Sequence, residues 1–259
     1  MSIHTNSKKY SSNEVMLKSI SNGSFHPVFQ AIIDRNNKIL GFEVLSRWKS
    51  NGRVIMPYEF LPFFTSDALV NLTKKVLDIA VECVNYYHGA FFVSVNIPKQ
   101  LIKSSTLVPM VEDSAKNLIK QELRSCLALE FSEETNFSVF GDASSVISEL
   151  KILGYRVMLD DCFSERSVTF PVRSCHFDDY KVDMNLVWDL STDNHAVNLL
   201  KTLVYYCDIT GGLCIAEGVE NNEQYQLLKT LGVNGFQGFY ICQPIDYDDL
   251  HDWISAWTL

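Results

Sequence analysis

The chain has 259 residues, 47% of them hydrophobic and 12% aromatic, enough for one large core or two smaller ones. A formal net charge of −9 argues against a general binder of nucleic-acid polymers, whose affinity rests on lysine and arginine neutralising phosphates. No run reaches the roughly 18 consecutive apolar residues of a membrane helix. Seven scattered cysteines without a C-x-x-C pair do not read as a disulfide framework, so a cytoplasmic protein with reduced thiols and no membrane contact is expected.

The opening "MSIHTNSKKYSSNE" lacks the apolar centre of a secretory signal. Residues 1–23 read as a polar tail with one short helix at 13–20, and residues 24–259 as one β/α domain. Strand-like apolar runs then follow at 25–33, 39–48, 90–96, 126–131, 156–161, 179–184, 212–217 and 235–240. Between them lie segments with helical spacing. Leu69, Leu72, Val76, Ile79 and Cys83 recur every three to four residues, as do Val197, Leu200, Val204 and Cys207. Segment 222–231 follows a candidate Asn221 cap and stops at Gly232.

The linker "DRNNK" is too short for a crossover helix, so the first two runs are expected to form an antiparallel hairpin. Eight strand candidates, most followed by helix-length connectors, predict a TIM-type (β/α)8 barrel with an irregular, antiparallel first strand. A doubly wound open sheet is the alternative; strand count and chain length favour the barrel.

The runs finish on residues suited to metal or phosphate chemistry: Asn96, Glu130, Asp160 with Asp161, Glu217 and Gln237. Glu43 and Arg47 sit in the second run, and Lys181 in the one after the aspartate pair. In a barrel the strand C-termini open on one face, so these groups would converge. Converging carboxylates repel and raise one another's pKa, a cost that divalent cations remove. Oxygen donors suit Mg²⁺ or Mn²⁺, and the six histidines show no zinc-site spacing. Each position also has a plain structural reading: Asn96 could cap the next turn, and Lys181 with Asp183 could form a surface ion pair of little value.

The series resembles the EAL domain, the bacterial phosphodiesterase domain that linearises cyclic di-GMP. "EVLSR" (43–47) is similar to its naming motif E-A-L-x-R, "FQAI" (29–32) to its Y-Q-P-I strand, and "SVNIP" to its asparagine strand. "LEFSEE", "LDD", "YKVD", "IAEGVE" and "FQGFYICQPI" resemble its remaining segments in order, so the likeness runs from about Phe25 to Pro244. The chain carries no recognisable GGDEF-type cyclase or sensor segment and reads as a stand-alone member.

The resemblance implies two Mg²⁺ or Mn²⁺ ions held by Glu43, Asn96, Glu130, Asp160, Asp161 and Glu217. Bound there, such ions would make hydroxide available near neutral pH and offset charge on the phosphoryl and leaving 3′-oxygens. It further implies that Lys181, with Glu43 and Glu217, carries catalysis by holding and polarising the attacking water. Gln30, Arg47, Gln237 and Pro244 would contact cyclic di-GMP, while Glu220 and Asp183 support the loop after the aspartates. The product would be linear pGpG, and a homodimer is the family habit.

That loop departs from the family pattern D-D-F-G-x-G-Y-S-S: here it reads "DDCFSERSV", with Phe163 and Glu165 at the two glycine positions. A side chain forced to positive φ is strained by about 1 kcal/mol or more, so another backbone path or a less ordered loop is expected. Glu165 and Arg166 read as a solvated pair or a remade partner contact. The altered loop keeps two other functions open: a catalytically weak cyclic di-GMP receptor or interaction module, and a different metal-dependent phosphoesterase.

Overall fold

The first two runs pair as an antiparallel hairpin, β1 (Phe25–Asp34) with β2 (Ile39–Ser50), in register from Phe25 opposite Trp48 to Ile33 opposite Ile39. Asp34 makes the turn: Oδ1 accepts the backbone N–H groups of Asn36 at 2.7 Å and Lys38 at 2.9 Å, and Asn37 takes the left-handed conformation that Asn tolerates. The structure is a computed structural model and describes residues 17–20, 24–50, 52–103, 105–135, 137, 142–164 and 175–257. Of the short helix expected at 13–20, residues 17–20 are helical and the rest lies outside the described residues.

After the hairpin come β3 (Arg53–Ile55), β4 (Phe92–Asn96), β5 (Leu127–Ser132), β6 (Arg156–Cys162), β7 (Asp179–Val182), β8 (Leu213–Ala216), β9 (Gly235–Phe236) and β10 (Ile245–Asp246). Strands β2, β4, β5, β6, β7, β8 and β9 lie parallel in that order. β1 closes the ring, antiparallel to both β2 and β9. The result is an eight-stranded TIM-type barrel with an inverted first strand, as the sequence predicts; β3 and β10 extend its edges.

Helices α1 (Ser66–Tyr86), α2 (Leu107–Ala115), α3 (Asp142–Ile152), α4 (Met184–Asp189), α5 (Asn194–Thr210), α6 (Asn222–Leu231) and α7 (Leu250–Trp257) follow the strands. The expected caps form. Asn221 Oδ1 accepts from Gln224 N–H at 3.0 Å, and α6 ends at Gly232 with φ 101°. None of the described helices is long and apolar enough to cross a membrane.

Two predicted strands are shorter than expected. The run 179–184 stops at Val182 because the Asp183 carboxylate accepts from Asn185 N–H and starts α4. The run 235–240 pairs only at Gly235–Phe236, and Gly238, at φ 153°, turns the chain away.

Alternation divides the core into two shells. Ile32, Phe92, Ala128, Met158 and Ile215 fill the barrel interior, while the larger outer cluster joins strands to helices. Gly41 makes room for this floor, since a Cβ there would meet the Phe92 ring at 2.5 Å. Below it, Arg156 bridges Asp179 on both carboxylate oxygens and places its guanidinium 4.8 Å from the Phe92 ring centroid.

Candidate functional site

Residues two apart on a strand face the same side. Two positions beyond the apolar floor, that rule delivers a polar layer: Glu43 after Gly41, Ser94 after Phe92, Glu130 after Ala128, Asp160 after Met158, Glu217 after Ile215 and Gln237 after Gly235. Lys181 stands two beyond Asp179, and inverted β1 offers Gln30 two before Ile32. All lie at the C-terminal mouth.

Lys181 is the hub. Its side chain is fully buried, and Nζ lies 2.6 Å from Glu217 Oε1, 2.9 Å from Glu130 Oε2, 3.1 Å from Glu43 Oε2 and 3.4 Å from Asp160 Oδ1. Burial alone would lower its pKa, but the charges of Asp160, Glu130, Glu217 and Glu43 hold it well above the ordinary lysine value. The surface-pair reading therefore does not describe Lys181, and Asp183 is occupied as a helix cap.

One ammonium cannot balance this many acids. Burial would raise the Glu43 carboxyl, yet the Lys181 charge and hydrogen bonds from Gln237, Lys181 and Asn96 keep it below the usual range. Burial, then repulsion from Glu43 and Asp160, pushes Glu130 up to about 8. Burial and the Asp160 charge push Asp161 up to about 7, and burial raises Glu217 well above normal despite Lys181.

The aspartate pair depends on a local break in alternation. Asp160 faces inward, so Asp161 on a regular strand would face the helices. A bulge between Leu159 and Cys162, with Asp161 at φ 58°, turns it back. One ligand-type oxygen from each of Asp160, Asp161 and Glu217 then falls within 4.8 Å of the others. This cluster can hold a metal ion. Its donors are all oxygen, which suits Mg²⁺ or Mn²⁺; nearby, buried Gln237 Oε1 has no hydrogen-bond partner among the described residues, and Asp160 Oδ1 has the Lys181 ammonium at 3.4 Å but no better-aligned donor there.

Gln237 Nε2 donates to Glu43 Oε2 at 2.6 Å and to Gln30 Oε1 at 3.2 Å. Asn96 Nδ2 donates to Glu43 Oε1, so it braces the cluster rather than capping the next turn. Arg47 lies four residues beyond Glu43, half-buried, with Nη1 on Ser46 O at 3.0 Å. A cavity of about 360 Å³ opens beside the cluster, walled by Gln30, Glu43, Glu217, Glu220 and Gln237 and by Trp188 and Phe239. Pro244 is not in that wall; it stands one residue before β10. Glu220 lies in the wall, its N–H bonded to Gln224 Oε1.

The sequence reading missed Glu133. It is buried, and Oε2 accepts the Phe163 N–H at 2.9 Å, so it supports the start of the loop for which Glu220 was expected. Its only signal was its place in "LEFSEE". Phe163 itself is left-handed, at φ 66°, a conformation glycine reaches without strain; the stretch 165–174, for which another backbone path or less order is expected, lies outside the described residues. Glu165 and Arg166 lie outside the described residues.

A family model described as "EAL domain" matches residues 13–244. The chain is 27% identical over 253 residues to the probable cyclic di-GMP phosphodiesterase PdeG of Escherichia coli, covering 94% of this chain and 49% of that protein. It is 27% identical to the cyclic di-GMP phosphodiesterase PA2567 of Pseudomonas aeruginosa, over 89% of this chain and 40% of that protein. The chain thus spans about half the length, or less, of these curated relatives. Among solved structures, an EAL domain protein of Listeria monocytogenes matches with a TM-score of 0.80 and 29% identity over 95% of this chain and 98% of that one. The PaMucR phosphodiesterase in complex with c-di-GMP shares the fold, with a TM-score of 0.82, 22% identity, and 92% and 98% coverage.

Proposed function

Because the chain belongs to the EAL domain family, we propose that it hydrolyses one phosphodiester of cyclic di-GMP to give linear pGpG, using two Mg²⁺ or Mn²⁺ ions. The observation that carries this reading is the buried Lys181 ammonium among Glu43, Glu130, Asp160 and Glu217, with Asp161 turned into the same cluster.

Glu43, Asn96, Glu130, Asp160, Asp161 and Glu217 would hold the ions. When bound, these would lower the pKa of water and place positive charge against the phosphoryl oxygens. Lys181 keeps its proton in this setting and holds positive charge where the attacking water would stand, with no need of a histidine. Gln237 and Asn96 fix both oxygens of Glu43, so the carboxylate cannot rotate away from the cluster. Gln30 lines the cavity and Arg47 lies four residues beyond Glu43; their amide and guanidinium would take the dinucleotide's phosphate and base edges. Water is limited on the floor side by Ile32, Phe92, Ala128, Met158 and Ile215. We further propose that the domain works in the cytoplasm and pairs as a homodimer.

Purified protein incubated with Mg²⁺ or Mn²⁺ and cyclic di-GMP is expected to yield pGpG by chromatography. Folded protein that forms no product with either metal would overturn the reading; binding without turnover would mark a receptor.

A further inference from the structure

Phe163 stands where the family pattern has glycine, and its backbone is left-handed despite its side chain. It sits at φ 66°, a strained region that a side chain of this size rarely enters. Such a residue persists only where its surroundings over-determine it. Here they do. The Phe163 N–H is held by buried Glu133 at 2.9 Å. The preceding carbonyl, of fully buried Cys162, accepts the Asp183 N–H at 3.1 Å, and Ser164 N–H returns to Asp161 O at 3.0 Å. The Phe163 ring itself is half-buried against the outer core.

Two residues upstream, Asp161 is the second left-handed residue, and its turn aims a carboxylate at Asp160 and Glu217. Both left-handed residues thus flank one buried cysteine, and whatever fixes Phe163 also limits how far Asp161 can rotate out. We infer that Phe163 is a positioning residue for the metal cluster: its ring, wedged on the core, replaces the family glycine's freedom with an anchor that keeps Asp161 turned inward. A glycine would adopt the same φ without strain but would leave the bulge free to sample outward conformations, so a liganding geometry that is preorganised here would be ordered on binding instead.

This inference rests on the metal-dependent reading above, and Mn²⁺ alone is the probe. Calorimetric titration of the intact protein with Mn²⁺ is compared for wild type, Phe163→Gly, Phe163→Leu and Phe163→Ala, alongside thermal melting in chelator. Phe163→Gly is expected to bind Mn²⁺ about tenfold more weakly while its metal-free melting temperature changes little, because strain relief offsets lost packing. Phe163→Leu, which keeps an apolar wedge, should stay within about threefold of wild type, and Phe163→Ala should weaken binding at least as much as glycine. Phe163→Gly binding as tightly as wild type would overturn the proposal while leaving the metal site intact. Wild type that binds no Mn²⁺ would overturn both.

Discussion

Lys181 Nζ and Glu130 Oε2 meet at 2.9 Å in the barrel interior, with the lysine side chain fully buried and Glu130 only 1% exposed. Removing the lysine leaves Glu43, Glu130, Asp160 and Glu217 without their shared cation. Breaking a buried ion pair by deleting one partner costs about 3–5 kcal/mol. Lys181→Ala is therefore expected to unfold at markedly lower urea concentration in chelator, to recover part of that loss in Mn²⁺, and to lose turnover by about 100-fold or more. An alanine variant with parental stability in chelator would contradict the hub role.

The pH response of the metal-free protein follows from the same cluster. Glu130 and Asp161 titrate in the fold at about 8 and about 7, pushed up chiefly by burial, while unfolded carboxyls titrate near roughly 4. A carboxyl whose folded pKa is raised stabilises the fold fully below its unfolded value, and that contribution is lost as pH rises through the folded value. Divalent ions bind the ionised form, so they matter most where that loss is complete. The rise in melting temperature on adding Mn²⁺ should be small near pH 5 and grow to pH 8.5; a flat or falling profile would count against the assignment.

Much of this arrangement is legible in the chain because strand alternation is a local rule. Met158 and Asp160, Ile215 and Glu217, and Ala128 and Glu130 are each two apart, so an apolar floor and a polar mouth are written on the same strands. The caps at Asn221 and Gly232 are local too. What escaped reading depends on contacts distant in sequence. Glu133 gains its role from Phe163, 30 residues away, and nothing around either residue announces the pairing. Likewise "FQGFY" carries the composition of a strand, but Gly238 must pass against the Val219 backbone, and the strand stops at Phe236, two residues before it. Positive φ at Phe163 runs against local preference, so reading the residue type alone predicts a different path.

Beneath the floor, Asp179 accepts from Arg156 through two oxygens and from Leu213 N–H at 3.0 Å, and its side chain is fully buried. None of these contacts reaches the cavity. Asp179→Ala strands a mostly buried guanidinium and a backbone donor, a loss of about 3–5 kcal/mol. Urea denaturation should show it, while Mn²⁺ affinity of the folded fraction by calorimetry stays close to parental. A large fall in affinity without a fall in stability would show the floor and the mouth to be coupled.

Gly238 separates steric from conformational demands on glycine. Its φ is 153°, and a Cβ there would lie 2.2 Å from Val219 O and 2.3 Å from Val219 N, backbone atoms that cannot swing aside. Gly52 is also left-handed, at φ 75°, but a Cβ would meet nothing within 4 Å. Gly52→Ala should thus carry backbone strain alone, about 1 kcal/mol. Gly238→Ala adds a clash next to Gln237, whose amide braces Glu43 at 2.6 Å, so both stability and turnover should fall. Chemical denaturation with a cyclic di-GMP turnover assay separates the two: the Gly52 variant keeps parental turnover, whereas the Gly238 variant loses at least about 2 kcal/mol and most of its activity. Equal behaviour of the two variants would mean that the Val219 contact does not hold Gln237 in place.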